Sequence, residues 1–240
     1  MTPWGGKRAF LLGLCLLAGI LFGALGVWQL ERRAWKLDLI DRVEARIHAP
    51  PVAPPGRDEW AQLDAQNIEY RRVRVSGVLL HPRETLVDAL TELGPGSWVI
   101  TPLRTPRGII LINRGFVPPE WNARSAPNAE QATGEGEVTI TGLLRVPEPG
   151  GRFLRPNRPG EERWFSRDVT AIAHVRGLAD VAPFFIDADA TANPGGYPRG
   201  GLTVVQFRNV HLIYALTWFA LAAFSLAGLA LLLLPAHKRW

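Results

Sequence analysis

Two long uncharged apolar runs constrain this chain more than any other feature. Residues 9–30 and 212–234 contain no charged side chain over 22 and 23 positions. At 1.5 Å per residue, a helix of that length reaches roughly 33 Å, enough to cross a hydrocarbon core of about 30 Å. The pattern argues against a wholly water-soluble fold. It also argues against a multi-pass transporter, because no third run of comparable length lies between the two. The 181 residues from Glu31 to His211 are enough to bury a core of their own. The first run exceeds the 7–15 residues typical of a signal-peptide apolar region, and a helical pattern continues beyond it. It is therefore expected to be an uncleaved anchor.

Charge is partitioned by the same boundaries. Lys7, Arg8, Lys238 and Arg239 flank the runs, whereas all 22 acidic residues lie between them with 23 of the 27 basic ones. The middle is thus nearly neutral. A pI near 10.0 does not mark a nucleic-acid binder, which needs a concentrated basic face. The one cysteine, Cys15, excludes an intrachain disulfide and a Cys/His structural zinc site.

The helical pattern runs on past the first span. No Gly or Pro interrupts residues 29–47, and Leu30, Leu37, Ile40, Val43 and Ile47 recur at helical spacings. Trp28 and Trp35 suit a membrane interface. The expected organisation is a first span over 9–30, a helical stalk over 31–48, a Pro-rich linker over 49–56, a β-rich extramembrane domain over 57–208 and a second span over 212–234. A short helix is expected around 60–66. Strands are expected over 70–80, 85–89, 97–104, 109–117, 138–146, 184–187 and 202–207, with turns at Gly94-Pro95-Gly96 and Pro106-Arg107-Gly108. Gly77 reads as a bulge or a point of close approach. Residues 123–136 and 148–162 read as loops, and Asp168 as the N-cap of a helix reaching Val175 and stopped by Gly177. The fold class is a membrane-anchored α+β protein, with two terminal transmembrane helices flanking a mainly antiparallel β sandwich or barrel.

No nucleophile–base constellation, phosphate loop or haem-attachment motif is present, so an enzyme reading has nothing to carry it. One histidine stands apart. His211, Tyr214, Ala215 and Trp218 share a helical face at the start of the second span. A chain that leaves and re-enters the membrane on one side brings Trp28 and Gln29 to the depth of His211 and Tyr214. The result is an aromatic slot with an imidazole at its polar rim. A neutral imidazole is a good axial ligand for haem iron. The competing reading is an interfacial histidine that caps its helix or bonds to Gln29. Asn113-Arg114-Gly115 reads as a strand end, with Gly115 supplying a backbone conformation and Arg114 a buried ion pair; contact of Arg114 with a haem propionate is the alternative. Arg32, Arg33 and Lys36 read as a solvated or headgroup-facing surface.

Five motifs, in order, carry a family resemblance over nearly the whole chain. The segment Leu25-Gly26-Val27-Trp28-Gln29-Leu30-Glu31-Arg32-Arg33-Ala34-Trp35-Lys36 ends the first span. Tyr70-Arg71-Arg72-Val73-Arg74-Val75-Ser76-Gly77 and Ile112-Asn113-Arg114-Gly115-Phe116-Val117-Pro118 lie in the middle, followed by Trp164 with Asp168. Asn209-Val210-His211-Leu212-Ile213-Tyr214-Ala215-Leu216-Thr217-Trp218-Phe219 opens the second span. Together they resemble the Surfeit locus protein one family, assembly factors of haem-copper terminal oxidases. Phe116 stands where that family commonly has Trp, and Val210 where a second Asn is frequent.

The resemblance implies a non-enzymatic assembly factor for cytochrome c oxidase that binds haem a transiently and assists its insertion into subunit I. The alternative is a scaffold that binds oxidase subunits and never touches haem. The resemblance marks His211 as the iron ligand; the helical spacing and shared depth read above put Tyr214, Trp218, Trp28 and Gln29 around it as the cofactor-binding residues. It implies oxidase subunit I, haem a synthase and the lipid bilayer as partners, and no nucleic acid. It places the chain in a bacterial inner membrane with the domain in the periplasm, or in the mitochondrial inner membrane of a eukaryote. The basic residues Arg32, Arg33, Lys36, Arg42 and Arg46 just beyond the first span point the other way. However, long domains translocate largely regardless of charge.

Overall fold

The computed structural model describes residues 4–121, 136–193, 195–203, 205, 207 and 209–234. The polar stretch expected as a loop over 123–136 lies outside the described residues except for Gly136, as do Lys238 and Arg239. The chain divides into two units, residues 1–42 with 206–240, and residues 43–205.

The first unit is built from two helices. Helix α1 (Trp4–His48) passes through the residues read as span and stalk without a break, and the second long helix is His211–Leu233. Both are long and apolar enough to cross a membrane. They are antiparallel: as α1 advances from Arg8 to Gln29, its contacts descend from Leu232 to His211. Arg8 donates through Nε and Nη2 to the Leu232 carbonyl at 3.0 and 2.7 Å, satisfying a carbonyl in the last turn of its neighbour. Small residues let the backbones approach, as expected where lipid removes the hydrophobic drive for association. A Cβ on Gly19 would lie 3.2 Å from Leu226, and one on Gly26 2.5 Å from the Phe219 ring. Ala215 and Ala222 are buried in the same seam.

The second unit is a closed sheet. Strands β1 (Arg72–Leu79), β2 (Thr85–Thr91), β3 (Gly94–Thr105), β4 (Gly108–Val117), β5 (Val138–Arg145) and β8 (Val181–Ala188) follow the order β1-β5-β8-β4-β3-β2. All pairings are antiparallel except β4 with β8. The end of β1 turns onto β3, pairing Val78 with Arg104 and Leu79 with Leu103, which closes the barrel and leaves β2 as a flap on β3. Gly77 sits where this change of partner occurs. A Cβ there would be 2.3 Å from the Arg104 carbonyl oxygen, so any side chain would force the closing strands to shift.

Strands β4 and β8 are buried on both faces and therefore read as unbroken apolar runs, Ile109–Ile112 and Phe184–Ile186. Ile110, Ile112, Phe184 and Ile186 join Val73, Leu103 and Leu144 in one core. Leu111 and Phe185 point the other way, into a second core with Val87, Ile100, Trp164 and Ile172. That second core lies under helix α3 (Val169–Val175), whose N-cap Asp168 accepts from the Ala171 N–H at 3.0 Å. Gly177, at φ +58°, follows the helix end.

Several local expectations need correction. The helix expected at 60–66 is a 3₁₀ turn (Trp60–Gln62) followed by the one-turn α2 (Ala65–Ile68). Gly94-Pro95-Gly96 belongs to β3, and Glu92-Leu93 make the reversal. Beyond Val117, β3 has only β2 beside it, so a proline lacking an N–H is tolerated there. The loop over 148–162 contains a two-residue hairpin, β6 (Gly151–Arg152) with β7 (Arg155–Pro156). The described residues of 202–207 are not a strand. Instead, Arg199 bridges Phe116, and the Thr203 hydroxyl donates to Asp187 at 3.0 Å, so the segment is held by points rather than by a ladder.

Candidate functional site

The helix pair brings His211 and Gln29 together. Nδ1 of His211 lies 2.8 Å from Oε1 of Gln29. An amide oxygen can only accept, so the imidazole donates from Nδ1. In the neutral ring, a proton on Nδ1 puts the lone pair on Nε2. A second hydrogen bond that orients the ring and sets the tautomer is the arrangement that prepares a histidine for metal ligation.

The aromatic residues divide into two kinds. Trp218 stacks on Phe22, with ring centroids 5.6 Å apart and planes at 24°, while Ala215 is fully buried beside it. Trp28 and Tyr214 are instead exposed. The structure thus places His211, Gln29 and Trp218 in the seam between the helices and leaves Trp28 and Tyr214 on its outside. Sequence reasoning missed Phe22 and Phe219. The available signal was spacing: Phe22 precedes Gln29 by seven residues and so shares its face. Near the same end of α1, the Arg32 guanidinium lies 4.2 Å from the Trp35 ring centroid and Lys36 Nζ 5.5 Å from that of Phe207.

The β domain holds two polar clusters. Asp187 is buried at the end of β8 and accepts from Asn113 (2.8 Å), Arg145 (3.0 Å), Arg167 (3.1 Å) and Thr203 (3.0 Å). Arg167 also pairs through Nη2 and Nε with Glu148. Burial opposes the Glu148 charge, yet hydrogen bonds and charge from Arg167 outweigh it and hold the carboxyl below its ordinary range. Burial likewise works against the Arg167 cation, but Asp187 and Glu148 keep it more firmly protonated than usual. A cavity of about 210 Å³ opens beside the cluster, lined by Trp98, Arg145, Arg167 and the backbone of Gly200 and Gly201.

In the second cluster Oε1 of Glu84 accepts from His81 (2.7 Å), Arg114 (2.9 Å) and Thr101 (2.8 Å). Burial pushes the Glu84 carboxyl upward, but the His81 hydrogen bond and the Arg114 charge prevail, so it sits below the usual glutamate value. Arg114 is therefore committed to an ion pair within the domain, the first of its two sequence readings. Gly115 next to it adopts φ +131°, and a Cβ there would lie 2.1 Å from the Arg199 carbonyl oxygen. The Asn113-Arg114-Gly115 motif thus combines a bond to the Asp187 hub, an ion pair and a close backbone crossing.

Among the described residues no group of three or more His, Cys, Asp or Glu side chains gathers as a metal site. Where the two helices meet, the His211 imidazole is a candidate metal ligand.

Comparison with known proteins matches the architecture at both ends. The sequence profile of the SURF1 family matches residues 16–223, from the first helix to the second. The chain is 37% identical over 234 residues to human Surfeit locus protein 1, covering 90% of this chain and 75% of the human protein. The mouse protein is 38% identical over 230 residues, covering 88% of this chain and 71% of its own length. A SURF1-like protein of Monosiga brevicollis is 37% identical over 224 residues, covering 87% and 81%. A match that reaches from within the first apolar helix to within the second and covers the barrel sequence places this chain in the SURF1 family.

Proposed function

We propose that the chain is a membrane-anchored assembly factor for cytochrome oxidase that holds haem a at His211 and releases it toward oxidase subunit I. Membership of the SURF1 family supports the role in oxidase assembly. Support for the haem step comes from one observation: Nδ1 of His211 is bonded to the Gln29 amide at 2.8 Å, so the neutral ring would turn its Nε2 lone pair to a ligand, at the start of an apolar helix. Haem, when bound, supplies an iron that accepts a neutral imidazole nitrogen. Gln29 holds the ring in place and keeps the proton on the far nitrogen. Exposed Trp28 and Tyr214 offer flat apolar surface beside the imidazole, and Trp218 on Phe22 braces the helix seam beneath it.

The two apolar helices support anchoring in a membrane. We propose the bacterial inner membrane, with the β domain on the periplasmic side, and haem a synthase as donor. The experiment is purification of the full chain from cells that make haem a, with and without His211→Ala. The wild type should carry a Soret band, and the variant should lose or strongly shift it while remaining membrane-inserted. Unchanged haem content and spectrum in His211→Ala would remove the ligand and favour a scaffold that binds oxidase subunits alone.

A further inference from the structure

The β6–β7 hairpin exposes apolar surface that neither the helix pair nor the polar clusters use. Arg152 pairs directly with Arg155, so Phe153 and Leu154 form a two-residue turn. Tight hairpin turns favour Gly, Asn or Asp because they demand unusual backbone angles. Here Leu154 adopts φ +60°, a conformation an L side chain other than Asn or Asp rarely takes. Phe153 is 91% exposed and Leu154 85% exposed. The chain thus spends a strained turn on two large apolar side chains that bury nothing within the domain.

The shoulders of the tip are cationic. Arg152 and Arg155 share one carboxylate, Asp88 on β2, at 3.7 and 3.4 Å, and both remain well exposed. Two cations on one anion leave a positive excess at the base of the apolar tip. Leu90, two residues along the same face of β2, is 76% exposed and extends the apolar ground beside Asp88.

We infer that this hairpin is a membrane-inserting tip: Phe153 and Leu154 enter the interfacial layer of an anionic bilayer while Arg152 and Arg155 meet its headgroup phosphates. Charge complementarity selects an anionic surface. Shape selects a bilayer over a protein partner, because two side chains standing clear on a tight turn need no matching pocket in a fluid phase. Arginines flanking an aromatic and a leucine can keep their charged ends among headgroups while the apolar atoms go deeper. Two helices of the same chain are long and apolar enough to cross a bilayer, which would keep one at hand.

The test uses the full chain carrying Cys15→Ala and Leu154→Cys, labelled with an environment-sensitive fluorophore. It is reconstituted in vesicles of phosphatidylethanolamine and phosphatidylglycerol, and separately in phosphatidylcholine. A matching label at Glu120→Cys, an exposed position, serves as the reference. The label at 154 should shift to the blue and be quenched several-fold more than the reference by lipids with spin-labelled acyl chains, most strongly in the anionic vesicles. Adding Arg152→Glu and Arg155→Glu should abolish the preference for anionic lipid. Water-like emission at 154 without lipid quenching, in a reconstituted protein with unchanged secondary structure, overturns the inference. So does a blue shift that appears only when oxidase subunit I is supplied, which would assign the tip to a protein partner.

Discussion

Gln29 and His211 meet at 2.8 Å although 182 positions separate them in sequence, and their bond has a direct chemical consequence. Replacing Gln29 with Leu keeps the approximate side-chain volume but removes the acceptor. Loss of an outer hydrogen bond to a ligating histidine typically weakens metal binding 10- to 100-fold. If His211 holds haem as proposed, titration of the reconstituted Gln29→Leu protein should show weakening of about that order, while His211 itself remains. Glu84 offers a second residue-scale test. Its carboxyl is held below the ordinary value in the fold, so it contributes stability above the unfolded-state value that is lost as pH falls. Glu84→Gln should therefore lower the unfolding temperature at neutral pH and flatten its decline in acid below about pH 4.3, the ordinary glutamate value. A variant whose acid profile runs parallel to the wild type would show that Glu84 contributes nothing to that slope.

Among elements, the two apolar helices meet through small residues. Gly26 faces the Phe219 ring so closely that any side chain must displace it. Gly26→Leu should wedge the helices apart and separate Gln29 from His211 one turn away. Haem content should fall as far as in Gln29→Leu, and a disulfide engineered between the helices beyond Gly26 should form more slowly. The barrel depends on a similar feature at Gly77, where β1 leaves β5 for β3. Adding a methyl there forces it against the Arg104 carbonyl, and overpacking of this kind costs about 1–3 kcal/mol. Gly77→Ala should lower the barrel's stability by that amount, and, if haem binds at the helix pair as proposed, leave its spectrum unchanged.

Taken whole, the protein joins an apolar helix pair to a β barrel that has its own two cores. That organisation makes topology a property of the entire chain, because both ends of the barrel sequence lead into an apolar helix. A reporter enzyme active only in the periplasm, fused after Gly136, should be active if the domain is exported. A silent reporter in a stably expressed fusion would place the barrel in the cytoplasm, where the basic residues after the first run would otherwise direct it.

Sequence alone determined the two long helices, most of the barrel strands and the N-cap at Asp168, because each of these depends on local periodicity or on one side chain beside its own backbone. It also carried the motifs that mark the family and singled out His211 with Gln29. It could not determine barrel closure. Val78 and Leu79 look like any strand end, and only long-range register gives them β3 as a second partner. Nor could it show that Arg145, Arg167, Asn113 and Thr203 converge on Asp187, since those residues come from separate segments. Among the aromatic residues around His211, sequence placed Trp28 and Tyr214 in the same slot as Trp218. The helix seam instead gave Trp218 to Phe22 and left the other two outside. Periodicity reports which face of an element is buried. Which side chains that face meets is decided by the crossing of two backbones, and here by the glycines that let those backbones come close.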